Sequence, residues 1–295
     1  MQGKVKASYK EATGVIQYNM TNNYMFRYIL QENKKVLKGL IGAVLHLKPS
    51  EIQSVEIQNP INLSEDVEGK EFILDIRVML NDNKLINLEM QLNNKYDWPE
   101  RSLSYLCRNY DQLYRGQEYR EVMPVYHIGF LDFTLFPDKP EFYATYKMMN
   151  VKNHHLYSDK LTVGVVDLNR TDLATDEDKI YKIDYWARLF KAKTWEDLQM
   201  LAKNNEYLEE AAESIYKANA DDILMQKCRA REEAERYERI AQRTIQLLQD
   251  ENTTLKEEKT LLQDEKTLWQ DEKAVMQDEL EALRKRVAEL EQENN

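Results

Sequence analysis

With 295 residues, 42% of them hydrophobic and 10% aromatic, the chain can bury a sizeable core and does not have the composition of a disordered segment. Its net charge is −11; residues 244–295, with seven Lys and Arg against fourteen Asp and Glu, carry −7 of it, which leaves −4 on the preceding 243 residues. Such a mildly acidic body excludes broad, charge-driven gripping of a duplex, because that mode needs many phosphate-neutralising cations, and any nucleic-acid contact must be local.

The pattern along the chain predicts an α/β protein. Residues 1–18 are polar and are expected to be loose. Tyr24 to Leu47 reads as one or two helices, with Val36, Leu37, Leu40, Ile41 and Val44 at helical spacing. Strand-like segments follow at 52–58, 71–80, 84–92, 123–133, 142–149 and 161–168, with a helix between the third and the fourth. These segments make a mixed sheet flanked by helices. All eight Gly and all six Pro lie at or before position 164, so the remaining 131 residues lack the two strongest helix breakers. Helices are expected there at 178–191, after Thr194 as N-cap with Asp197 three residues on, and at 206–218. From about Ala220 one long helix begins.

Two cysteines, Cys107 and Cys228, lie far apart without metal-ligand spacing, and Cys107 reads as a small buried hydrophobe. His154-His155 falls in a polar loop. No eighteen-residue apolar run and no signal-like N-terminal stretch is present, so a cytosolic protein without a membrane partner is expected.

The segments 71–80 and 84–92 carry the most chemistry. Both alternate, and Asn81-Asp82-Asn83 between them tolerates the left-handed conformations of tight turns. Phe72, Leu74, Ile76, Val78 and Leu80 share one face, as do Ile86, Leu88, Met90 and Leu92. Matching those faces through a three-residue turn sets Leu80 opposite Lys84 and, counting back, Asp75 opposite Glu89. Directly opposed Cβ atoms lie roughly 4.5–5.5 Å apart. Two carboxylates that close repel unless a cation lies between them, and a hard divalent ion prefers carboxylate oxygens. The hairpin therefore reads as a metal clamp. The competing reading is a pair of solvent-facing carboxylates, common on hairpins, although Asp is depleted within strands.

Beyond the hairpin, Arg101, Tyr105, Arg108, Gln112 and Arg115 fall on one helical face, opposite Leu103, Leu106, Tyr110 and Leu113, and Pro99 suits the first turn. This face is either a phosphate-tracking stripe or an ordinary wet surface.

The order of Ile73-Leu-Asp75 and then Asn87-Leu-Glu89-Met-Gln91 resembles the PD-(D/E)XK phosphodiesterase core. More narrowly, the chain resembles the Rpn family of recombination-promoting nucleases and transposases. Besides the hairpin, the resemblance is carried by Met20-Thr-Asn-Asn-Tyr-Met-Phe-Arg27, Arg101-Ser-Leu-Ser-Tyr105, Gly116-Gln-Glu-Tyr119, the segment His127 to Phe133, and Tyr185-Trp-Ala-Arg-Leu-Phe190. It covers roughly residues 19–240 and implies a restriction-endonuclease-like fold. It also implies a metal-dependent DNA endonuclease of mobile-element or defence type, in which Asp75 and Glu89 hold a divalent metal, Mg²⁺ first, with Mn²⁺ or Ca²⁺ as alternatives. Gln91 then occupies the place of the superfamily lysine, where a neutral amide orients by hydrogen bonds but brings no charge. Relatives often carry an acidic residue where this chain has Asn22-Asn23. Those two departures keep a second reading open, a catalytically degenerate fold that acts as a dimeric nucleic-acid- or protein-binding module. The expected organisation is a loose segment at 1–18, a nuclease-like core at 19–170, a helical extension at 171–219 and a long helix or coiled coil at 220–295.

Leu248, Leu255, Leu262, Trp269, Met276, Leu283 and Leu290 recur every seven residues, with Ile245, Asn252, Lys259, Lys266, Lys273, Leu280 and Val287 at the companion positions. A sustained seven-residue period predicts a left-handed coiled coil roughly 70 Å long. Polar companions favour two strands in fixed register, and Glu251–Lys256 and Glu279–Arg284 can pair across a parallel partner, so a parallel homodimer through residues 245–293 is expected.

Overall fold

The computed structural model describes residues 8–58, 76–111, 113 and 116–293. Its contacts divide the chain into two units, Met1–Ala234 and Glu235–Asn295. The first opens with α1 (Asn23–Glu32) and α2 (Lys34–Val44), each capped by an asparagine side chain. Asn22 accepts from the backbone N–H groups of Tyr24 and Met25, and Asn33 from those of Lys35 and Val36.

Among the described residues six strands form one mixed sheet: β1 (Val55–Ile57), β2 (Ile76–Leu80), β3 (Lys84–Gln91), β4 (Val125–Leu131), β5 (Tyr143–Met149) and β6 (Leu156–Asp167), in the order β1-β2-β3-β4-β6-β5. The pairs β3–β4 and β4–β6 are parallel and the others antiparallel. The β2–β3 register is the one read from the hairpin pattern: Leu80 faces Lys84 and Ile76 faces Leu88. Asn81 and Asp82 make the turn with φ of 50° and 54°, left-handed values that Asn and Asp adopt more readily than most residues. The Asn81 side chain ties the turn to the segment before β1, accepting from Gln53 N–H and Ser54 N–H and donating to the Glu51 carbonyl. Residues 59–75, which hold Asp75 and most of the expected 71–80 segment, lie outside the described residues.

One face of the sheet holds the larger apolar cluster. Ile76, Val78, Leu80, Ile86, Leu88, Met90, Ile128, Phe130 and Val166 pack there against α1, α2 and α5 (Ile183–Lys191). Phe26, Phe130 and Phe190 interlock, with centroids 5.3–5.7 Å apart in tilted and edge-on arrangements. The other face is covered by α3 (Trp98–Tyr110), which closes a smaller cluster of Leu85, Trp98, Leu106, Val125, Leu131, Val163 and Val165.

The helical region continues through α4 (Asp176–Ile180), α5, α6 (Trp195–Ala202), α7 (Glu206–Asn219) and α8 (Asp222–Glu293). The single helix expected at 178–191 is split, because Lys182 takes φ 63° between α4 and α5. Thr194 caps α6 as expected, accepting from Asp197 N–H. Residues 8–18, expected to be loose, are seated instead. Tyr9 and Ile16 are buried, Ile16 N–H donates to the Lys193 carbonyl, and the Gln199 side chain donates to the carbonyls of Tyr9 and Ala12. Two apolar anchors and backbone bonds to a distant segment suffice, and neither leaves a periodic signal.

In the second unit, α8 carries the seven-residue column in the open: Leu248, Leu255, Leu262, Trp269, Met276 and Leu283 are each more than half exposed. No helix among the described residues is long and apolar enough to cross a membrane.

Candidate nuclease site

The site is assembled on the α3 side of the sheet, where Asn87, Glu89 and Gln91 of β3 share a face by strand alternation. The parallel β3–β4 register sets Asn87 beside His127, Glu89 beside Gly129 and Gln91 beside Leu131. Glu89 is therefore an acidic side chain in the middle of a sheet, and it is only 5% exposed. A carboxylate buried to that extent stays ionised only beside positive charge or hydrogen-bond donors.

Arg101 supplies both. Its Nε and a terminal nitrogen both reach Glu89 Oε1, at 3.0 and 2.8 Å. Burial is the largest single influence and works against the charged guanidinium, but the Glu89 charge, the hydrogen bond to it and the neighbouring Tyr105 and Asp97 together outweigh it and hold the Arg101 pKa above its ordinary value. The residue was expected on a solvent-facing stripe. It is instead drawn across to the strand, because one turn of α3 carries it over β3. Helix α3 ends at Tyr110, and Gln112 and Arg115 of the expected stripe lie outside the described residues. The buried side of α3 is also rotated from the expected one. Trp98, Ser102, Leu106 and Asn109 face the sheet while Leu103 faces solvent, and Cys107 is exposed, not buried. Small Ser102, its hydroxyl donating to the Pro99 carbonyl, suits a close approach of helix to sheet that Leu103 would block.

Sequence reasoning missed His127. It is fully buried on β4, with Tyr105 stacked on its ring at 5.8 Å and 12° and Trp98 tilted against it at 5.5 Å. Burial, reinforced by the Arg101 charge, lowers its pKa to about 4, so the ring is neutral near pH 7. Asn87 Nδ2 lies 3.0 Å from His127 Nδ1, and an amide N–H donor there makes Nδ1 the acceptor. The ring proton then resides on Nε2, which lies 3.6 Å from Glu89 Oε2 and presents its positive N–H edge to the carboxylate. The opposite amide orientation would point a ring lone pair at a negative oxygen, which is electrostatically worse. His127 offered a weak signal, as the one residue in the run Val125 to Leu131 whose side chain ordinarily titrates near neutral pH. Only the parallel register, across about forty residues, reveals that it faces Glu89.

Gly129 is the close-approach position. A Cβ there would lie 2.1 Å from Trp98 Cζ2, so the indole rests directly on the strand beside Glu89. Gln91 donates from Nε2 to the Asn93 carbonyl at 3.0 Å. Tyr105 lies beneath two guanidinium groups, those of Arg101 at 5.4 Å and of exposed Arg108 at 6.0 Å. Asn22 is committed to capping α1 and to the Cys228 carbonyl, to which it donates at 3.0 Å.

Among the described residues, no group of three or more His, Cys, Asp or Glu gathers as a metal cage. Glu89 nonetheless offers the hard oxygen donors that Mg²⁺ takes, and the guanidinium on Oε1 occupies the position of a cation beside them. The donor chemistry fits a divalent ion provided a second carboxylate joins Glu89.

A mixed sheet with helices on both faces and a buried acidic residue on a central strand agree with a restriction-endonuclease-like α/β fold. Residues 20–245 match the family model described as the PD-(D/E)XK nuclease family transposase, and the chain belongs to that family. Its function is accordingly of the nuclease or transposase type, a class whose nucleases generally use divalent metals. Neither curated proteins nor solved structures give a match.

Proposed function

We propose that this protein is a divalent-metal-dependent DNA endonuclease whose ion is held by Glu89 and Asp75. The observation that carries the proposal is the near-complete burial of Glu89 in a site that already holds a positive group against its carboxylate. Asp75, which lies outside the described residues, precedes Ile76 in sequence, the residue paired with Leu88, and the proposal requires that Asp75 oppose Glu89. The bound ion would supply Lewis acidity at the phosphodiester and lower the pKa of water near it, with Mg²⁺ the first candidate.

This chain's own side chains supply the rest. Gln91 orients the attacking water by hydrogen bonding, without adding charge. His127, held neutral and wedged between Trp98 and Tyr105, fixes the orientation of Glu89. Arg101, Tyr105 and Arg108 form a compact cationic and aromatic surface for one stretch of phosphate backbone, which suits a protein without an overall basic charge. Nicking of supercoiled plasmid with Mg²⁺, Mn²⁺ or Ca²⁺ supplied separately tests this reading. Cleavage is expected with at least one ion and is expected to vanish in Asp75→Ala and in Glu89→Ala; activity that survives in both variants refutes the assignment.

The neutral Gln91 favours one competing reading, a nuclease fold that binds DNA without cutting it. That reading predicts retained DNA binding and no cleavage with any of the three ions.

We further propose that residues 245–293 pair as a parallel coiled-coil homodimer, supported by the exposed seven-residue column of α8. Two single-cut sites held together could sever both strands or hold two DNA ends. Sedimentation of the full chain should show a dimer at micromolar concentration and a monomer for Leu255→Asp/Leu262→Asp; a monomeric wild-type protein rules the dimer out.

A further inference from the structure

Two competitions meet at the Glu89 carboxylate. Arg101 and any divalent ion bound there contend for the lone pairs of one oxygen, Oε1, which already accepts from two guanidinium nitrogens at 3.0 and 2.8 Å. Glu89 and a DNA phosphate in turn contend for one guanidinium. The Arg101 side chain is one-third exposed, whereas that of Glu89 is 6% exposed, so the pair has a buried end and an end that reaches the surface. The same guanidinium lies over the Tyr105 ring, which it shares with Arg108, and Arg108 is exposed. The ring is held flat against buried His127, so it forms a fixed rail from the carboxylate to the outer face of α3. A long, flexible arginine on that rail can trade a carboxylate for a phosphate, since its planar fork fits both anions.

We propose that Arg101 is an exchangeable counter-ion. It neutralises Glu89 while the protein is free of nucleic acid, and it transfers to a backbone phosphate when DNA binds, which frees Oε1 for the divalent ion. DNA and metal then bind with positive coupling, and the coupling is reciprocal by thermodynamic necessity. Metal alone meets a site whose key oxygen is occupied; DNA alone finds Arg101 but must draw it from Glu89; together they satisfy both anions and both cations. The site is thereby completed only on its substrate. This proposal rests on the metal site described above, and it makes Arg101 a positioning residue for the ion in addition to a contact for the phosphate.

Calorimetric titration of the full chain with Ca²⁺, in the absence and presence of a duplex oligonucleotide checked for intactness, tests the exchange. The wild-type protein should bind Ca²⁺ at least tenfold more tightly with the duplex than without it. Arg101→Gln should bind Ca²⁺ more tightly than wild type in the DNA-free state, by fivefold or more, and should gain little further on adding the duplex. Arg101→Lys keeps the charge but loses the fork, and it should fall between the two; it also serves if Arg101→Gln fails to melt cooperatively. Glu89→Gln should abolish the Ca²⁺ isotherm in every case. If well-folded Arg101→Gln and Arg101→Lys bind Ca²⁺ no more tightly than wild type without DNA, or if the duplex leaves wild-type affinity unchanged, the exchange is overturned while the metal site stands. Absence of any Ca²⁺ binding, in all proteins and with or without duplex, overturns the exchange and the metal site together.

Discussion

The two faces of the sheet are built from the same strands and do opposite things. On the face covered by α1, α2 and α5, Ile76, Val78, Ile86, Leu88, Ile128, Phe130 and Val166 pack together and three phenylalanines interlock. Close packing there satisfies itself and asks nothing of solvent or ligand. On the face covered by α3, the neighbouring positions of β3 and β4 are Asn87, Glu89, His127 and Gly129, and one helix covers them with Trp98, Ser102 and Leu106. Ionic and polar groups in that setting cost free energy relative to an apolar replacement, and they persist where they serve a task. The first face holds the protein together; the second keeps chemistry in place.

Substitutions that separate the two faces follow from this contrast, the largest effect first. Phe130→Ala should lower stability by about 3–5 kcal/mol, as expected for removing a buried aromatic that touches two others, and chemical denaturation would read it as a fall in midpoint with little change in slope. A loss below about 1 kcal/mol would mean that the apolar face is not the main source of stability.

The α3 face should reveal itself through pH. The folded pKa of His127 is lowered to about 4, below its unfolded value, so on acidification the unfolded chain takes up a proton that the folded chain refuses. The stability that this site contributes is complete above pH 6.5 and is lost as pH falls toward 4. For a shift of this size the loss is about 2 kcal/mol between pH 7.5 and pH 5. Urea unfolding of metal-free protein at those two pH values should show it, and His127→Gln should flatten the dependence by that amount; parallel curves for the two proteins would argue that His127 titrates normally.

Gly129→Ala should cost a comparable amount of stability, about 1–3 kcal/mol for an overpacked position. Because the added methyl must push Trp98 away from the strand and from His127, cleavage should fall far more than stability does. Equal activity and a normal melt would show that the indole has room to shift.

How much of this was legible in the sequence depended on the distance over which each signal acts. The hairpin register could be read because alternation and an Asn-Asp-Asn turn act over about twenty residues, and Leu80 does face Lys84. Thr194 announced its helix by a local cap. Lys182 did not announce the break between α4 and α5, because a lysine in the left-handed region carries no glycine signal. The buried side of α3 was misplaced because Ser102 and Leu103 trade roles: proximity to the sheet, not hydrophobicity, selects the smaller side chain. The place of His127 beside Glu89 needed a parallel pairing whose strands are joined through α3, and no local pattern encodes that. The arginine on the acidic residue was hidden for the same reason, since helical spacing gives the side of a helix but not the strand it crosses.

The tether that Asn81 makes to Glu51, Gln53 and Ser54 has a consequence for how this family member can diverge. A β-strand reverses every side chain when its alignment slips by one residue. One extra amino acid between Leu80 and Lys84 would turn Glu89 toward the phenylalanine trio and present Met90 to Arg101, without altering a single functional residue. The tether holds the loop at its present length, so insertions should be tolerated in the loops around β5 and rejected here. Viewed this way, a short polar link far from the reacting atoms acts as the ruler on which the acidic centre is measured out.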